Sequence, residues 1–163
     1  MRQATVQVRP ARSEDRDGVW PLVEQFAVSF APERGAFDAA YRSLTTSRDS
    51  YVAVAETSDA VVVGYVLVHR HQTLFANGPV AWVEELFVSP DHRQQGVGRS
   101  LMDEAERWAR EQDARYVALA TRRAADFHTA LGYDESATFF RKLLDRAETT
   151  DRDGGDISRR GEG

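Results

Sequence analysis

Apolar positions recur along the chain with two different periods, and each period predicts a different element. Alternating or β-branched apolar runs predict strands, whereas spacings of three and four residues predict amphipathic helices. The predicted strands cover residues 4–9, 51–56, 61–70, 81–88, 115–120 and 137–143. The predicted helices cover residues 13–30, 33–47, 96–113 and 124–131.

These elements follow one another in the order β-α-α-β-β-β-α-β-α-β. Turn residues at 57–59 predict a hairpin between the second and third strands, and a further turn follows at 77–79. A strand–helix–strand–helix unit comes after the hairpins. The order predicts an α/β domain in which a mixed sheet carries helices on both faces. Pro21 falls inside the first helical pattern, so we expect that helix to kink or to start there.

Length and composition describe one globular domain. The chain has 163 residues, of which 42% are hydrophobic and 29% charged. It contains no cysteine, which excludes a disulfide scaffold, a thiolate metal site and a cysteine nucleophile. It shows neither a secretory signal nor an apolar run long enough for a bilayer, so we expect a cytoplasmic protein without a membrane partner.

A change of composition near the end of the chain divides it into two parts. We expect the folded domain to cover residues 1–146 and a disordered tail to cover residues 147–163. Ile157 is the only sizeable apolar side chain of that tail, which therefore cannot bury enough surface to offset its ordering entropy.

The net charge of −5 bears on the partners of the chain. Nucleic acid requires a basic face, so the acidic balance argues against a nucleic-acid partner. Neutral or cationic partners fit this charge better. His69 and His71 share a face at a strand end, but no carboxylate or cysteine stands at ligand spacing from them, so we expect no metal site.

Two glycines mark the start of the predicted helix 96–113, directly after strand 81–88. The N-terminus of a helix presents unpaired N–H groups and partial positive charge, which suit an anion. Gly96 and Gly98 remove Cβ atoms that would hold a phosphate away from those amides, and Arg93 and Arg99 flank the loop. The spacing predicts a pyrophosphate cradle, although it matches neither the P-loop nor the dinucleotide fingerprint.

The segment from Arg93 to Gly98 resembles motif A of the GNAT superfamily, the GCN5-related N-acetyltransferases, whose signature is Arg/Gln-x-x-Gly-x-Gly/Ala. The Glu-Glu-Leu-Phe-Val strand and the Ser-Pro-Asp-His turn before it match too, and residues 124–133 resemble motif B. The order of elements fits the family over residues 4–144. The resemblance implies a single-domain GNAT-like fold in which two parallel strands, 81–88 and 115–120, splay apart at a CoA site.

The resemblance also implies acetyl-CoA as acyl donor and no metal. Backbone groups of the splayed strand would pair with pantetheine, the loop amides would hold the pyrophosphate, and Thr121 replaces a frequent family asparagine with a hydroxyl alone. The donor-binding residues implied in this way are Leu86, Phe87, Val88, Arg93, Gln94, Gln95, Gly96, Val97, Gly98, Arg99, Ser100 and Thr121.

Two side chains are candidates for the chemistry. A protonated amine is not a nucleophile, so a base must take its proton, and the family pattern favours Glu84 over its neighbour Glu85. We expect Glu85 to be solvated or paired with an arginine. His128 stands where many family members have a tyrosine. Three roles stay open for it: acid, hydrogen-bond donor to the leaving thiolate, or packing residue.

The resemblance therefore predicts an N-acetyltransferase that acts on a primary amine by direct attack. A small-molecule acceptor is favoured, such as a polyamine, aminoglycoside, amino acid or amino sugar, with some of Phe30, Glu33, Phe37 and Tyr41 lining its cleft. A protein acceptor, through its N-terminus or a lysine, is an alternative. A non-catalytic acyl-CoA sensor is another, and an enzyme for charged tRNA is disfavoured by the acidic charge. Homodimers occur in the family.

Overall fold

The computed structural model describes residues 5–144, so the expected tail at 147–163 lies outside the described residues. The strands are β1 (Val6–Pro10), β2 (Ser50–Thr57), β3 (Val62–His71), β4 (Val80–Val88) and β5 (Val117–Leu119). The helices are α1 (Arg16–Phe26), α2 (Arg34–Thr46), α3 (Val97–Glu111) and α4 (Ala125–Ala130). Short 3₁₀ turns occupy Ser13–Asp15 and Pro90–His92.

The five strands form one sheet in the order β1-β2-β3-β4-β5. The first three pairings are antiparallel, and the pairing of β4 with β5 is parallel. The helix α3 connects β4 with β5, as a crossover between parallel neighbours requires. The expected α/β class with a mixed sheet is therefore confirmed.

Two hydrophobic cores lie on opposite faces of this sheet. On one face α3 buries Leu101, Met102 and Ala105 against the central strands, and α4 packs beside it. On the other face α1 and α2 cover β2 and β3, with Val19 and Tyr41 fully packed. Valines and alanines dominate the central strands because both of their faces are covered. None of the helices in residues 5–144 is long and apolar enough to cross a bilayer.

The predicted last strand, residues 137–143, is wrong. Residues 134–144 form neither helix nor strand. The Phe139 ring instead lies over Trp82 of β4 with centroids 6.3 Å apart, and Arg141 donates a 3.4 Å hydrogen bond to Ser29. A β-branched or aromatic run becomes a strand only when a neighbouring strand takes up its N–H and C=O groups, and this segment has no such neighbour within the described chain.

The first helix is shorter than its apolar pattern. It runs through Pro21 and ends at Phe26, four residues before the predicted end at Phe30. Helices in proteins are stabilised mainly by packing of an apolar face. Phe30 is 67% exposed, so it gives the helix nothing to pack against. The connection 27–33 between α1 and α2 is left as an open loop with Val28 and Phe30 on its surface.

Arg9 ties the edge of the sheet to the start of α1. Its guanidinium donates two hydrogen bonds to Asp15, at 2.7 and 2.8 Å, and two to Glu56, at 2.9 and 3.0 Å. The alternation of β1 predicts Arg9 as an outward residue, yet its side chain is only 14% exposed. Asp15 also accepts the backbone N–H of Arg12 at 2.7 Å, which closes the turn into α1.

Replacement of Asp15 by asparagine should lower the free energy of unfolding at pH 7 by about 2 kcal/mol, the usual effect of losing a hydrogen bond to a charged group. Arg9 holds the pKa of Asp15 below its ordinary value. The stabilisation is therefore complete above the ordinary aspartate pKa of about 3.9 and disappears as the pH falls below it.

Urea denaturation of the wild type and Asp15→Asn at pH 7 and pH 3 tests this, with Asp59→Asn in the exposed β2–β3 turn as the control. Equal stability of the wild type and Asp15→Asn at pH 7 would show that the carboxylate contributes nothing.

Candidate functional site

The site begins where β4 and β5 part. Only three residue pairs join them, from Ala81 with Val117 to Val83 with Leu119. Beyond Val83, β4 continues to Val88 with β3 along one edge and no strand along the other within residues 5–144. The open edge from Glu84 to Val88 offers backbone donors and acceptors that an extended ligand containing amides can pair with, as an added strand would.

A β-bulge stands at the point of parting. Leu67 of β3 pairs with Glu85, and the next residue, Val68, pairs with Val83, so Glu84 has no partner residue. Bulges bend the strand and increase its twist, and they re-aim side chains near functional sites. The Glu84 side chain is exposed. The structure thus places the preferred base candidate at the mouth of the opening between the two strands.

Glu85 differs from the expectation of a solvated or arginine-paired residue. It is partly buried on the side of the sheet that carries α1, and the Tyr65 hydroxyl donates a 2.8 Å hydrogen bond to its Oε2. Burial raises the pKa of Glu85, and the neighbouring Glu84 charge acts in the same direction. The pattern of the sequence did not reveal this contact because Tyr65 lies 20 positions away on β3.

The glycine loop is held by its own hydrogen bonds. After the Pro90–His92 turn, the Arg93 Nε–H donates to the Val88 carbonyl at 2.9 Å and its guanidinium lies 5.3 Å from the centre of the Phe87 ring. Gly96 has φ of 82°, a left-handed conformation that favours glycine. The N–H of Ser100 donates to the Gly96 carbonyl at 3.0 Å, which makes it the first intrahelical bond of α3.

The N–H groups of Val97, Gly98 and Arg99 precede that first bond and point out of the helix start. This is the geometry that the predicted anion site requires. Most side chains of the loop are exposed, namely Arg93, Gln94, Gln95, Arg99 and Ser100. Val97 is the exception, because its side chain is 4% exposed in the core and only its backbone faces the loop.

Gly98 has a reason to be glycine that the sequence did not reveal. A Cβ built on Gly98 would lie 3.1 Å from Cζ of Phe127 on α4, which is closer than ordinary contact. A Cβ on Gly96 would meet nothing within 4 Å. Gly96 is thus favoured by its backbone angle, whereas Gly98 is favoured by the tight packing of α4 onto the start of α3.

His128 is the residue after Phe127 on α4. The side chain is 8% exposed and packs edge to face against Phe127 and Tyr133, with centroids 4.9 and 5.8 Å away. Its Nδ1 has no hydrogen-bond partner among the described residues. Burial lowers the pKa of His128, so the imidazole is neutral at pH 7.

The remaining sequence candidates are placed as follows. Leu86 and Val88 turn their side chains into the α3 core and leave their backbone to the open edge. Thr121 lies just beyond β5, where its Oγ1 accepts the Ala124 N–H at 3.0 Å. Its hydroxyl is therefore partly committed to the turn before α4. Within residues 5–144 no group of three metal-ligating side chains comes together.

An aromatic surface extends from Glu85 along the α1 side of β4. Phe26 of α1 packs edge to face on Phe87 and Tyr65, with centroids 6.3 and 6.4 Å away. Among the expected cleft residues, Phe30 and Glu33 lie exposed on or next to the α1–α2 connection. The others are structural: Phe37 packs on the α1–α2 core, and the buried Tyr41 donates a 2.7 Å hydrogen bond to the Arg12 carbonyl.

The site combines an open strand edge, a helix start suited to an anion, and two adjacent carboxylates. The edge and the helix start suit an acyl carrier that contains amides and a pyrophosphate, and a carboxylate can take a proton from an acceptor next to that carrier. The comparisons agree. The model of the Acetyltransferase (GNAT) family matches residues 17–133, which is more than half of the chain. The chain belongs to this family, and the resemblance seen in the sequence is confirmed.

Two curated relatives extend over most of the chain. An aminoglycoside N(6')-acetyltransferase type 1 from Stenotrophomonas maltophilia is 29% identical over 160 residues, 89% of this chain and 94% of the relative. An aminoalkylphosphonate N-acetyltransferase from Salmonella typhimurium is 28% identical over 142 residues, 85% of this chain and 91% of the relative.

Among solved structures, aminoglycoside N-acetyltransferase AAC(6')-Iy in complex with CoA superposes with a TM-score of 0.75 at 23% identity, over 88% of this chain and 98% of that one. The likeness confirms the fold. The chain is an N-acetyltransferase that uses acetyl-CoA as its acyl donor.

The buried His128 makes stability depend on pH. Below the ordinary histidine pKa of about 6.5 the unfolded chain binds a proton that the folded protein resists, so the free energy of unfolding falls as the pH drops. The slope from this residue reaches at most about 1.4 kcal/mol per pH unit. Above pH 6.5 the effect is absent.

Replacement of His128 by leucine should remove this part of the pH dependence. Urea denaturation of both proteins between pH 5 and pH 8 checks it, since the other three histidines are common to both. Parallel stability curves would mean that His128 titrates in the folded protein as it does in the unfolded chain.

Proposed function

We propose that this enzyme acetylates a primary amine of a small cationic molecule, with aminoglycosides as the first candidates. The observation that carries the proposal is the opening between β4 and β5, where the anion-binding loop, the free strand edge and Glu84 meet. The relatives support a small acceptor, because a curated relative that matches 89% of this chain acts on aminoglycosides by its name. The overall charge of −5 suits a cation.

The donor lies along the open edge in this proposal. Pantetheine amides pair with the backbone of Leu86, Phe87 and Val88, and the pyrophosphate rests on the amides from Gln94 to Arg99. Ser100 and the Arg93 guanidinium stand beside the phosphates, where charge-assisted hydrogen bonds are strong. Thr121 contacts pantetheine from the β5 side, where its hydroxyl can still donate a hydrogen bond while Oγ1 accepts the Ala124 N–H.

Glu84 acts as the base. Its carboxylate takes a proton from the acceptor ammonium, either directly or through water, and the neutral amine attacks the thioester carbonyl carbon. The new C–N bond forms, the C–S bond breaks, and CoA leaves as a thiolate. Exposure of Glu84 at the bulge supports this role, because the carboxylate must reach an acceptor that arrives from solvent.

His128 assists the leaving sulfur as a neutral hydrogen-bond donor. Burial keeps its imidazole uncharged at pH 7, which argues against acid catalysis by an imidazolium. Nδ1 has no hydrogen-bond partner among the described residues, so this ring nitrogen is available for the sulfur. As the C–S bond breaks, the attacking nitrogen loses its second proton to the departing thiolate or to solvent. The acetylated amine leaves as an amide, and the proton held by Glu84 returns to solvent.

Two alternatives to the acetylation of a small molecule differ from it in what an activity assay would show. A non-catalytic acyl-CoA sensor would bind the donor without turnover, and a protein acetyltransferase would need a peptide acceptor. We retain as parts of the proposal a cytoplasmic location, expected because the sequence shows no signal or span, and a homodimer, because homodimers occur in the family.

Replacement of Glu84 by glutamine should lower kcat/KM about 10²- to 10⁴-fold, the usual contribution of a general base, and leave acetyl-CoA binding intact. Thiol release from acetyl-CoA is followed with aminoglycosides, polyamines, amino acids and short peptides, and binding is measured by calorimetry. Asp59→Asn, in the exposed β2–β3 turn, is the control.

Amine-dependent thiol release that Glu84→Gln leaves unchanged would remove Glu84 from the mechanism. Donor binding without thiol release from any acceptor would favour the sensor, and release with peptides alone would favour a protein substrate.

The loop gives a further prediction. A left-handed conformation costs a non-glycine residue about 1–2 kcal/mol, so Gly96→Ala should distort the loop and raise KM for acetyl-CoA about 10-fold. Gly35→Ala is the matched control, because its Cβ meets nothing within 4 Å in α2 and its φ is not left-handed. An unchanged KM in Gly96→Ala would mean that the left-handed residue does not shape the donor site.

A further inference from the structure

We propose that Glu85, held in place by Tyr65, binds a second ammonium group of the acceptor and so selects molecules with two amines over molecules with one. This inference rests on the proposed amine acetylation at the β4–β5 opening. It assigns to Glu85 a role in acceptor recognition that is separate from the proton transfer assigned to Glu84.

The position of Glu85 puts a second carboxylate beside the first. Glu84 occupies the bulge, and Glu85 is the next residue, paired with Leu67 on the α1 side of the sheet. Tyr65, which is 2% exposed, donates to Oε2 and thereby fixes the carboxylate. Among residues 5–144 the other oxygen, Oε1, has no hydrogen-bond partner and is not fully buried.

Within residues 5–144 no arginine or lysine forms an ion pair with Glu84 or Glu85, whereas Arg9 and Arg107 each bind two carboxylates. A partly buried carboxylate without a positive partner is costly to ionise. The raised pKa of Glu85 reports that cost.

Three titratable side chains lie close enough to Glu85 to influence its charge. Tyr65 and His69 of β3 and Glu84 of β4 are the titratable groups that act on it, and α1 contributes the apolar Phe26 beside them. An acceptor with two ammonium groups brings one positive charge to each carboxylate. The ammonium group that is to be deprotonated lies at Glu84, and the second ammonium group lies at Glu85.

The same geometry discriminates between the two kinds of acceptor named for the relatives. An aminoglycoside carries several amines, whereas an aminoalkylphosphonate carries an anionic group next to its amine. A phosphonate near Glu85 would meet a like charge, which costs free energy. We therefore infer that the acceptor is a di- or polyamine and that a phosphonate is excluded.

Two matched pairs of acceptors test this. One is 1,4-diaminobutane against 1-aminobutane, and the other is methyl 2,6-diamino-2,6-dideoxyglucoside against methyl 6-amino-6-deoxyglucoside. Steady-state kinetics give kcat and KM, and calorimetry in the presence of CoA gives Kd without a need for turnover. Wild type, Glu85→Gln, Tyr65→Phe and the control Asp59→Asn are compared, together with aminomethylphosphonate.

The wild type should prefer the diamine of at least one pair by about 10-fold or more, in KM or Kd. Glu85→Gln should raise KM and Kd for that diamine about 10- to 100-fold, as expected for the loss of one charge-assisted hydrogen bond, and should reduce the preference for the diamine over the monoamine to about twofold or less. Tyr65→Phe should act in the same direction and less strongly, because it frees the carboxylate without removing it.

Equal binding of both members of each pair by the wild type would overturn the inference, as would a preference for aminomethylphosphonate. Equal losses for mono- and diamine in Glu85→Gln would also overturn it, because they indicate a structural role. The proposed function fails differently. If Glu85→Gln loses the diamine preference in Kd while the wild type turns over no acceptor, acetyl transfer to amines is wrong and recognition by Glu85 stands.

Discussion

The missing neighbour of β4 beyond Val83 is the constraint on which the rest of the site depends. One edge of Glu84–Val88 is satisfied by β3, and the other has no strand beside it in the described chain. Buried backbone groups are almost always paired, so such an edge is stable only where solvent or a ligand reaches it. The glycine loop and α3 follow directly from the end of this strand, which brings the anion site to the same opening.

Local features of this arrangement could be predicted from the sequence. The central strands, the glycine loop and the start of α3 depend on neighbouring residues, and their patterns predict them to within a few positions. The last strand could not be predicted, because a strand depends on a partner that propensity does not supply. The apolar run at 137–143 has the right residues, and Phe139 packs on Trp82 instead.

Contacts between distant residues escaped prediction for a related reason. Arg9 has the alternation of a solvent-facing residue, yet Asp15 and Glu56 enclose it from two other elements. The Tyr65–Glu85 hydrogen bond joins positions 20 apart, and the β-bulge that separates Glu84 from Glu85 is invisible in the sequence. The candidate site was therefore predicted as a set of residues, whereas the difference between its two carboxylates required the structure.

The contact between Gly98 and Phe127 changes how the glycine signature is understood. Since a Cβ at position 98 would press on the Phe127 ring, the two positions form one unit across two helices. A side chain at 98 is accommodated only if the Phe127 ring shifts by a few tenths of an ångström or is replaced by a smaller residue, so substitutions at these two positions should be coupled. The second glycine of the signature thus serves the packing of α4 as much as the approach of a phosphate. A relative without this glycine can therefore still bind acetyl-CoA.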